Sequence, residues 1–195
     1  MIQTVQPIPK GKEFFKHKKN YKGAPHKQSD TVFEVFDAFF VEQLFDTIIE
    51  LGSGAGGFSL YLAEKFGAKF HTFDIINKMD RYSDVRKRIE SFESHVYFED
   101  IFKSSNLKKL FAANKRILLL CDNGDKLKEL QTFTPLLKNN DVIMVHDYFP
   151  TALDYENQNI WRCCAFTDAD ENYPDLYPYY KNELAKAFWM CRIKK

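Results

Sequence analysis

An apolar run that ends in an acid and then a cluster of glycines constrains this chain more than any other stretch. It extends from Phe45 to Gly57 and reads FDTIIELGSGAGG. Ile48, Ile49 and Leu51 predict a buried strand of a parallel sheet, because such strands are covered on both faces and lose polar alternation. The glycines predict a tight turn, and the apolar spacing after them predicts a helix that begins near Gly57. Strand, turn and helix N-terminus together predict a cradle for a nucleotide cofactor.

Two known motifs share this glycine spacing. Gly52, Gly54 and Gly57 satisfy the GxGxxG spacing of dinucleotide-binding proteins. Glu50 followed by Gly52, Gly54 and Gly56 satisfies the acid-x-Gly-x-Gly-x-Gly spacing of S-adenosylmethionine methyltransferases. Glu50 favours the second motif, because a carboxylate is unfavourable beside a pyrophosphate but suits a cofactor with an ammonium and a cationic sulfur.

Length and charge narrow the class of protein. The 195 residues suffice for one α/β domain, and the formal net charge of +1 does not indicate a nucleic-acid or membrane partner. The charge is uneven, however, because residues 1–29 are rich in lysine and broken by proline and glycine. We therefore predict a basic N-terminal arm over residues 1–29 and a single domain over residues 30–195.

The cysteines and the apolar runs indicate the cellular compartment of the protein. The four cysteines show no CxxC spacing, so we expect reduced thiols. We find no secretory hydrophobic segment and no apolar run long enough to span a bilayer. A cytoplasmic protein without a membrane partner is therefore expected.

The remainder of the chain alternates strands and helices, which predicts a doubly wound α/β sheet. Strands are predicted at residues 68–74, 96–98, 117–121, 142–145, 161–166 and 188–193. Helices are predicted at residues 31–44, 79–92, 154–161 and 177–187. Two further helices are predicted to include residues 107–111 and 127–137. The carboxyl ends of such strands meet at one edge of the sheet, where ligands bind.

Acidic residues end or follow the predicted strands at residues 68–74 and 96–98. Asp74 lies about twenty residues beyond the glycines, where a carboxylate binds the two hydroxyls of a ribose. Asp100 follows the next strand and can either accept a hydrogen bond from an adenine amino group or cap the helix through residues 107–111. Ile101 or Ile75 would then cover the face of the ring.

Asp122, His146 and Asp147 follow the next two strands and are expected in the same crevice. One alternative is a magnesium site that holds a substrate hydroxyl and lowers its pKa. The other is a metal-free site with His146 as general base. Asp147 is expected to orient His146 only weakly, because neighbours on a strand point to opposite faces.

With these motifs, the chain resembles the class I S-adenosylmethionine-dependent methyltransferases. ELGSGAGG resembles their cofactor loop, HTFD their ribose strand and FEDIF their adenine strand. The stretch ILLLCDNGDKLKELQTFTPLLKNNDVIMVHDY is similar to small-molecule O-methyltransferases of the cephalosporin-hydroxylase-like and rhamnosyl-methyltransferase-like branch. The resemblance covers about residues 30–150.

The resemblance implies a seven-stranded, mostly parallel sheet whose C-terminal strand is reversed, with Phe188–Ile193 in that position. It implies S-adenosylmethionine as cofactor, and magnesium in metal-dependent relatives, whose ligands map onto Asp122, His146 and Asp147. This chain has His146 where those relatives often have Glu. The implied cofactor-binding residues are Glu50, Gly52, Ser53, Gly54, Gly56, Asp74, Ile75, Asp100, Ile101 and Asp122.

We therefore expect methyl transfer to an oxygen of a small molecule or sugar, with His146, Asp147 and Asp122 as catalytic residues. Three alternatives remain: an NAD-dependent oxidoreductase, a nucleic-acid methyltransferase that uses the basic arm, and a non-enzymatic cofactor-binding protein. Against the nucleic-acid methyltransferase, the chain has no NPPY-like tetrapeptide for binding a flipped base. Neither the acceptor nor the oligomeric state is predicted.

Overall fold

The computed structural model of the protein describes residues 19–82, 84–113, 115–149, 166–170 and 172–195. The helices are α1 (Val32–Glu42), α2 (Gly57–Phe66), α3 (Val85–Glu90), α4 (Ser105–Ala112), α5 (Lys126–Phe133) and α6 (Lys181–Ala185). The strands are β1 (Lys19–Tyr21), β2 (Ala24–His26), β3 (Thr47–Leu51), β4 (Phe70–Asp74), β5 (His95–Phe98), β6 (Ile117–Cys121), β7 (Val142–His146), β8 (Tyr148–Phe149), β9 (Phe166–Thr167), β10 (Leu176–Pro178) and β11 (Trp189–Lys194).

Seven strands form one sheet in the order β10-β11-β7-β6-β3-β4-β5. The pairs among β3, β4, β5, β6 and β7 are all parallel, while β11 is antiparallel to both β7 and β10. The predicted doubly wound sheet with a reversed C-terminal strand is therefore confirmed. Its parallel carboxyl ends meet at one edge, beside the loop after β3.

The central strands are buried on both faces, as their continuous apolar runs predict. On one face, Ile48 and Leu118 pack with Phe36 of α1 in a cluster that α2, α3 and α6 complete. On the other face, Ile49 and Leu130 belong to a cluster that α4 and α5 cover. Successive strand residues thus point to opposite helical layers, which holds the sheet rigidly beneath its carboxyl edge.

Two predicted helices are shorter in the structure. In place of a helix over residues 79–92, a 3₁₀ turn precedes α3, and Asp84 between them has a φ of +64° that a helix cannot contain. In place of a helix over residues 177–187, residues 176–178 form the edge strand β10 and only Lys181–Ala185 is helical. Pro178 has no N–H for a helix interior but is tolerated on an edge strand.

Residues 19–29, which the sequence analysis assigns to the N-terminal arm, include a hairpin. β1 and β2 form a hairpin whose two turn residues, Lys22 and Gly23, both have positive φ, as a type I′ turn requires. Ala24 of this hairpin is fully buried, and Gln28 after it is 3% exposed. Residues 19–29 therefore pack as part of the domain.

The predicted helix at residues 154–161 and all but the last residue of the strand at residues 161–166 lie outside the described residues. In the described part of the chain, each helix is too short or too polar to cross a lipid bilayer.

Candidate functional site

The loop of residues 52–57, called the glycine loop below, connects β3 to α2 and lies against neighbouring backbone. A Cβ built on Gly52 would lie 2.4 Å from the carbonyl oxygen of Asp122, at the end of β6. A Cβ on Gly57 would lie 2.5 Å from the carbonyl oxygen of Ala24 in the hairpin. These two glycines are therefore required by close contact within the protein, a reason that the sequence interpretation did not include.

Gly54 differs from the other three glycines of the loop. Its φ is +53°, and a Cβ built there would meet no atom within 4 Å, whereas one on Gly56 would lie 2.6 Å from Val85 Cγ1. The open side of Gly54 lies just before the N-terminus of α2, whose first N–H groups have no partner within their own helix. Among the loop glycines, Gly54 is thus the one where a ligand can approach the backbone.

Asp74 joins the end of β4 to the glycine loop. Its Oδ2 accepts from the Gly54 N–H and its Oδ1 from the Ile76 N–H, each at 2.9 Å. Each carboxylate oxygen has a second lone pair, so Asp74 can still accept from a ribose hydroxyl. Its predicted role in ribose binding remains a prediction, but Asp74 also fixes the loop.

Glu50 lies behind the glycine loop. It is 1% exposed, and its Oε2 accepts from the Ser59 hydroxyl at 2.5 Å and the Thr72 hydroxyl at 2.6 Å. Burial raises the pKa of Glu50 to about 8 despite these bonds. Ser53, in the loop, has a buried Oγ that meets no partner within the described residues. Direct contact of Glu50 or Ser53 with a cofactor remains a prediction.

The three residues predicted to bind adenine have different environments in the structure. Asp100 accepts from the Phe102 N–H at 3.0 Å and lies 3.3 Å from Lys103 Nζ, so its carboxylate stabilises a turn. Ile101 is 4% exposed and belongs to the apolar cluster under α4, whereas Ile75 is 61% exposed. Of the two isoleucines, Ile75 is the one available to cover a ring.

Asp122, His146 and Asp147 come together at the carboxyl edge, with a ligand atom from each within 4.8 Å of the others. His146 Nδ1 lies 2.8 Å from Asp122 Oδ1 and 3.4 Å from Asp147 Oδ1. Asp147 has a φ of +56° and has already left the strand. The expectation that Asp147 and His146 point to opposite faces is therefore wrong, and the nearer orienting carboxylate is that of Asp122.

These contacts define the protonation of His146. An ionised carboxylate only accepts hydrogen bonds, so Nδ1 carries the proton and Nε2 is left as the basic atom. Nε2 is buried and has no hydrogen-bond partner within the described residues. Burial of His146 opposes its protonation, but Asp122 and Asp147 outweigh burial and raise its pKa above 6.5. The ring of Trp189 packs against the imidazole at 4.8 Å between centroids.

Asp122 remains ionised in this environment. Burial alone would raise the pKa of its carboxyl, but the His146 imidazole, the Lys126 ammonium and the Gln28 amide hold the pKa below its usual value. Asp122 and His146, called the dyad below, thus form an orienting acid and an oriented base.

The sequence interpretation missed Gln28. Its Nε2 donates to Asp122 Oδ2 at 2.6 Å, and its Oε1 accepts from Trp189 Nε1 at 3.0 Å. The Trp189 bond fixes the orientation of the amide, which in turn holds the dyad's carboxylate. Gln28 lies in the lysine-rich segment without a motif around it, so no local signal could have identified it.

Lys126, the first residue of α5, was also missed. It is 2% exposed, and its Nζ lies 3.7 Å from Asp122 Oδ1 and 3.8 Å from Asp147 Oδ2. It also donates to the Asn123 carbonyl. The spacing of four residues after Asp122, across a strand-to-helix turn, is a sequence signal that could have identified this ion pair.

A curated relative resembles part of the chain, whereas no protein-family model matches the sequence. Phosphoethanolamine N-methyltransferase of Plasmodium falciparum (isolate 3D7) is 28% identical over 109 residues, which are 53% of this chain and 40% of that protein. The chain therefore spans less than half the length of this relative.

Solved structures resemble the chain over most of its length. The CmcI-N160 apo-structure has a TM-score of 0.61 at 13% identity and covers 90% of this chain and 76% of its own. A putative caffeoyl-CoA O-methyltransferase from Staphylococcus aureus has a TM-score of 0.58 at 12% identity, and the match covers 86% of this chain and 84% of that protein's chain. The O-methyltransferase from Bacillus cereus in complex with SAH has a TM-score of 0.55 at 15% identity, and the match covers 85% of this chain and 82% of that protein's chain. The resemblance carried by the sequence motifs is thereby confirmed, and the chain has the fold of the class I S-adenosylmethionine-dependent methyltransferases.

Proposed function

We propose that the protein is an S-adenosylmethionine-dependent methyltransferase that methylates a hydroxyl oxygen of a small molecule, with sugars among the candidate acceptors. One observation carries the proposal: a Cβ on Gly52 would lie 2.4 Å from the Asp122 carbonyl oxygen. The loop proposed to bind the cofactor is therefore in contact with the residue that orients His146. Direct transfer requires such adjacency, because both reactants must be held in line.

The residues around the glycine loop fit the parts of this cofactor. Gly54 leaves open space for close approach to the backbone, and the N–H groups at the start of α2 face an anionic group favourably. Asp74 is proposed to accept from the ribose hydroxyls, and the exposed Ile75 to cover the adenine. When bound, the cofactor supplies an electrophilic methyl group.

His146 is proposed to remove the acceptor's proton. A hydroxyl is a poor nucleophile until its proton is removed, so a general base favours an oxygen acceptor over a neutral amine. The proton moves from the acceptor hydroxyl to Nε2, and the negative charges of Asp122 and Asp147 stabilise the imidazolium that forms. Because the curated relative is named an N-methyltransferase, amine acceptors belong in any test.

Calorimetric titration with S-adenosylhomocysteine tests the cofactor site through Gly54→Val. Gly54 and Gly23 both have positive φ and open space around the added Cβ, so Gly23→Val is a control that also strains a left-handed glycine but adds its side chain at the turn of the hairpin. We expect wild type and Gly23→Val to bind alike. Gly54→Val should weaken binding by about tenfold or more, because its side chain fills the space proposed for the ligand.

Binding that Gly54→Val leaves unchanged would remove the glycine loop from the cofactor site. If binding is found, a screen of hydroxyl and amine acceptors that detects released S-adenosylhomocysteine identifies the acceptor class. Nicotinamide dinucleotide binding in place of S-adenosylhomocysteine binding would support the oxidoreductase alternative. Steeply salt-dependent RNA binding would support a nucleic-acid methyltransferase.

A further inference from the structure

We infer that the Lys126 ammonium takes the place of a divalent cation between Asp122 and Asp147, so that this cluster of possible ligands works without a metal. The inference goes beyond the proposed methyl transfer and does not depend on it, because it concerns which cation neutralises the two carboxylates.

The position of Lys126 follows from the turn between β6 and α5. Asp125 accepts from the Lys128 N–H at 3.1 Å and starts the helix, so Lys126 is the first helical residue. Side chains on a helix point toward its N-terminus, which directs Lys126 back to the carboxyl edge of the sheet. There its Nζ lies 3.7 Å from Asp122 and 3.8 Å from Asp147.

The burial of the Lys126 ammonium determines which groups must surround it. The Lys126 side chain is 2% exposed, and a buried ammonium requires compensating negative charge. It also lies at a helix N-terminus, where the helix dipole disfavours a positive charge. The two carboxylates and the Asn123 carbonyl supply the compensation. A cation from the chain therefore already offsets part of the negative charge of the same carboxylates.

Both oxygens of Asp122 already accept a hydrogen bond from a neighbouring side chain. Its Oδ1 accepts from His146 at 2.8 Å and its Oδ2 from Gln28 at 2.6 Å. Magnesium requires near-octahedral oxygen ligands at about 2.1 Å. An ion at that distance from Asp122 Oδ1 would also lie within about 6 Å of the Lys126 ammonium and be repelled by it. The residues of the cluster therefore do not fit a magnesium ion.

Titration with Mn²⁺, followed by electron paramagnetic resonance of the free ion, tests the inference without any acceptor. The variant is Lys126→Met, which keeps an unbranched side chain and removes the charge. The matched control is Lys128→Met on the exposed side of the same helix. Wild type and Lys128→Met are expected to bind no Mn²⁺ up to about 1 mM, whereas Lys126→Met gains a site at least about tenfold tighter.

Two results would overturn the inference. One is Mn²⁺ binding by the wild type that Asp147→Asn abolishes. The other is a folded Lys126→Met variant, judged by circular dichroism, that binds no more Mn²⁺ than the wild type. If Lys126→Met does not fold, Lys126→Gln replaces it, and the wild-type titration with Asp147→Asn decides the question alone.

Discussion

Asp122 shows how much of the candidate site depends on a single side chain. Its carboxylate accepts from His146 and from Gln28, and it lies 3.7 Å from Lys126. The sequence predicted that Asp122 and His146 would meet, because both end parallel strands of one sheet. It could not predict which carboxylate orients the imidazole, because that depends on the positive φ of Asp147, which is a local feature of the backbone.

Asp147 tunes the base without being its nearest partner. Its negative charge is among the causes that raise the pKa of His146, and the proposed general base must be neutral to accept a proton. The acid limb of the pH profile of kcat/KM should therefore shift to lower pH in Asp147→Asn, by about 0.5 to 1 pH unit. An unchanged limb, or a shift to higher pH, would contradict a base at position 146. Asp175→Asn, which loses the surface pair with Lys194, is the control and should keep the wild-type profile.

The β1–β2 hairpin is an element that the sequence analysis did not predict. Its strands have three residues each and no long apolar run, so nothing in residues 19–26 distinguishes them from a solvated arm. One contact that holds the hairpin is close packing on α2 at Gly57, beside the hydrogen bond from the Tyr21 hydroxyl to Glu64. By contrast, β3, β6 and β7 were predictable, because each is mostly apolar and is buried on both faces.

Gly57→Ala tests that contact. The added Cβ would lie 2.5 Å from the Ala24 carbonyl oxygen and 2.6 Å from that of Pro25, so the backbone of the hairpin must move. We expect a loss of about 1–3 kcal/mol in the free energy of unfolding, measured by urea denaturation. Gly124→Ala, where the added Cβ meets nothing within 4 Å, should change it by less than about 0.5 kcal/mol. Equal effects of the two substitutions would mean that the hairpin does not depend on the contact.

At the scale of the whole molecule, the sheet and its helices enclose acidic side chains. Glu129 of α5 is fully buried, and within the described residues neither of its carboxylate oxygens has a hydrogen-bond partner. Burial raises its pKa to about 8, as it does for Glu50. The side on which a short helix buries its residues depends on packing against β6, so residue spacing alone did not reveal this acid.

Glu129→Gln should therefore change how stability depends on pH. The folded protein binds the Glu129 proton more tightly than the unfolded chain, so stability falls as pH rises from about 4.5 through about 8. Urea midpoints at about pH 6 and about pH 9 should differ less in Glu129→Gln than in the wild type. Glu90→Gln, an exposed partner of Arg86, should keep the wild-type difference. A wild-type midpoint that does not fall over this range would contradict a raised pKa.

The hydrogen bonds of Gln28 also have a consequence for the order of folding. Trp189 donates to Gln28 across 161 residues of sequence, and Gln28 donates to Asp122 across 94. Contacts between residues so distant in the chain form slowly, because large loops must close first. The turn after β3 is local and can form early, whereas the imidazole acquires its final support only when β11 has joined the sheet. During synthesis, the local turn after β3 is therefore expected to form before Trp189 can complete the hydrogen bonds that support Asp122 and His146.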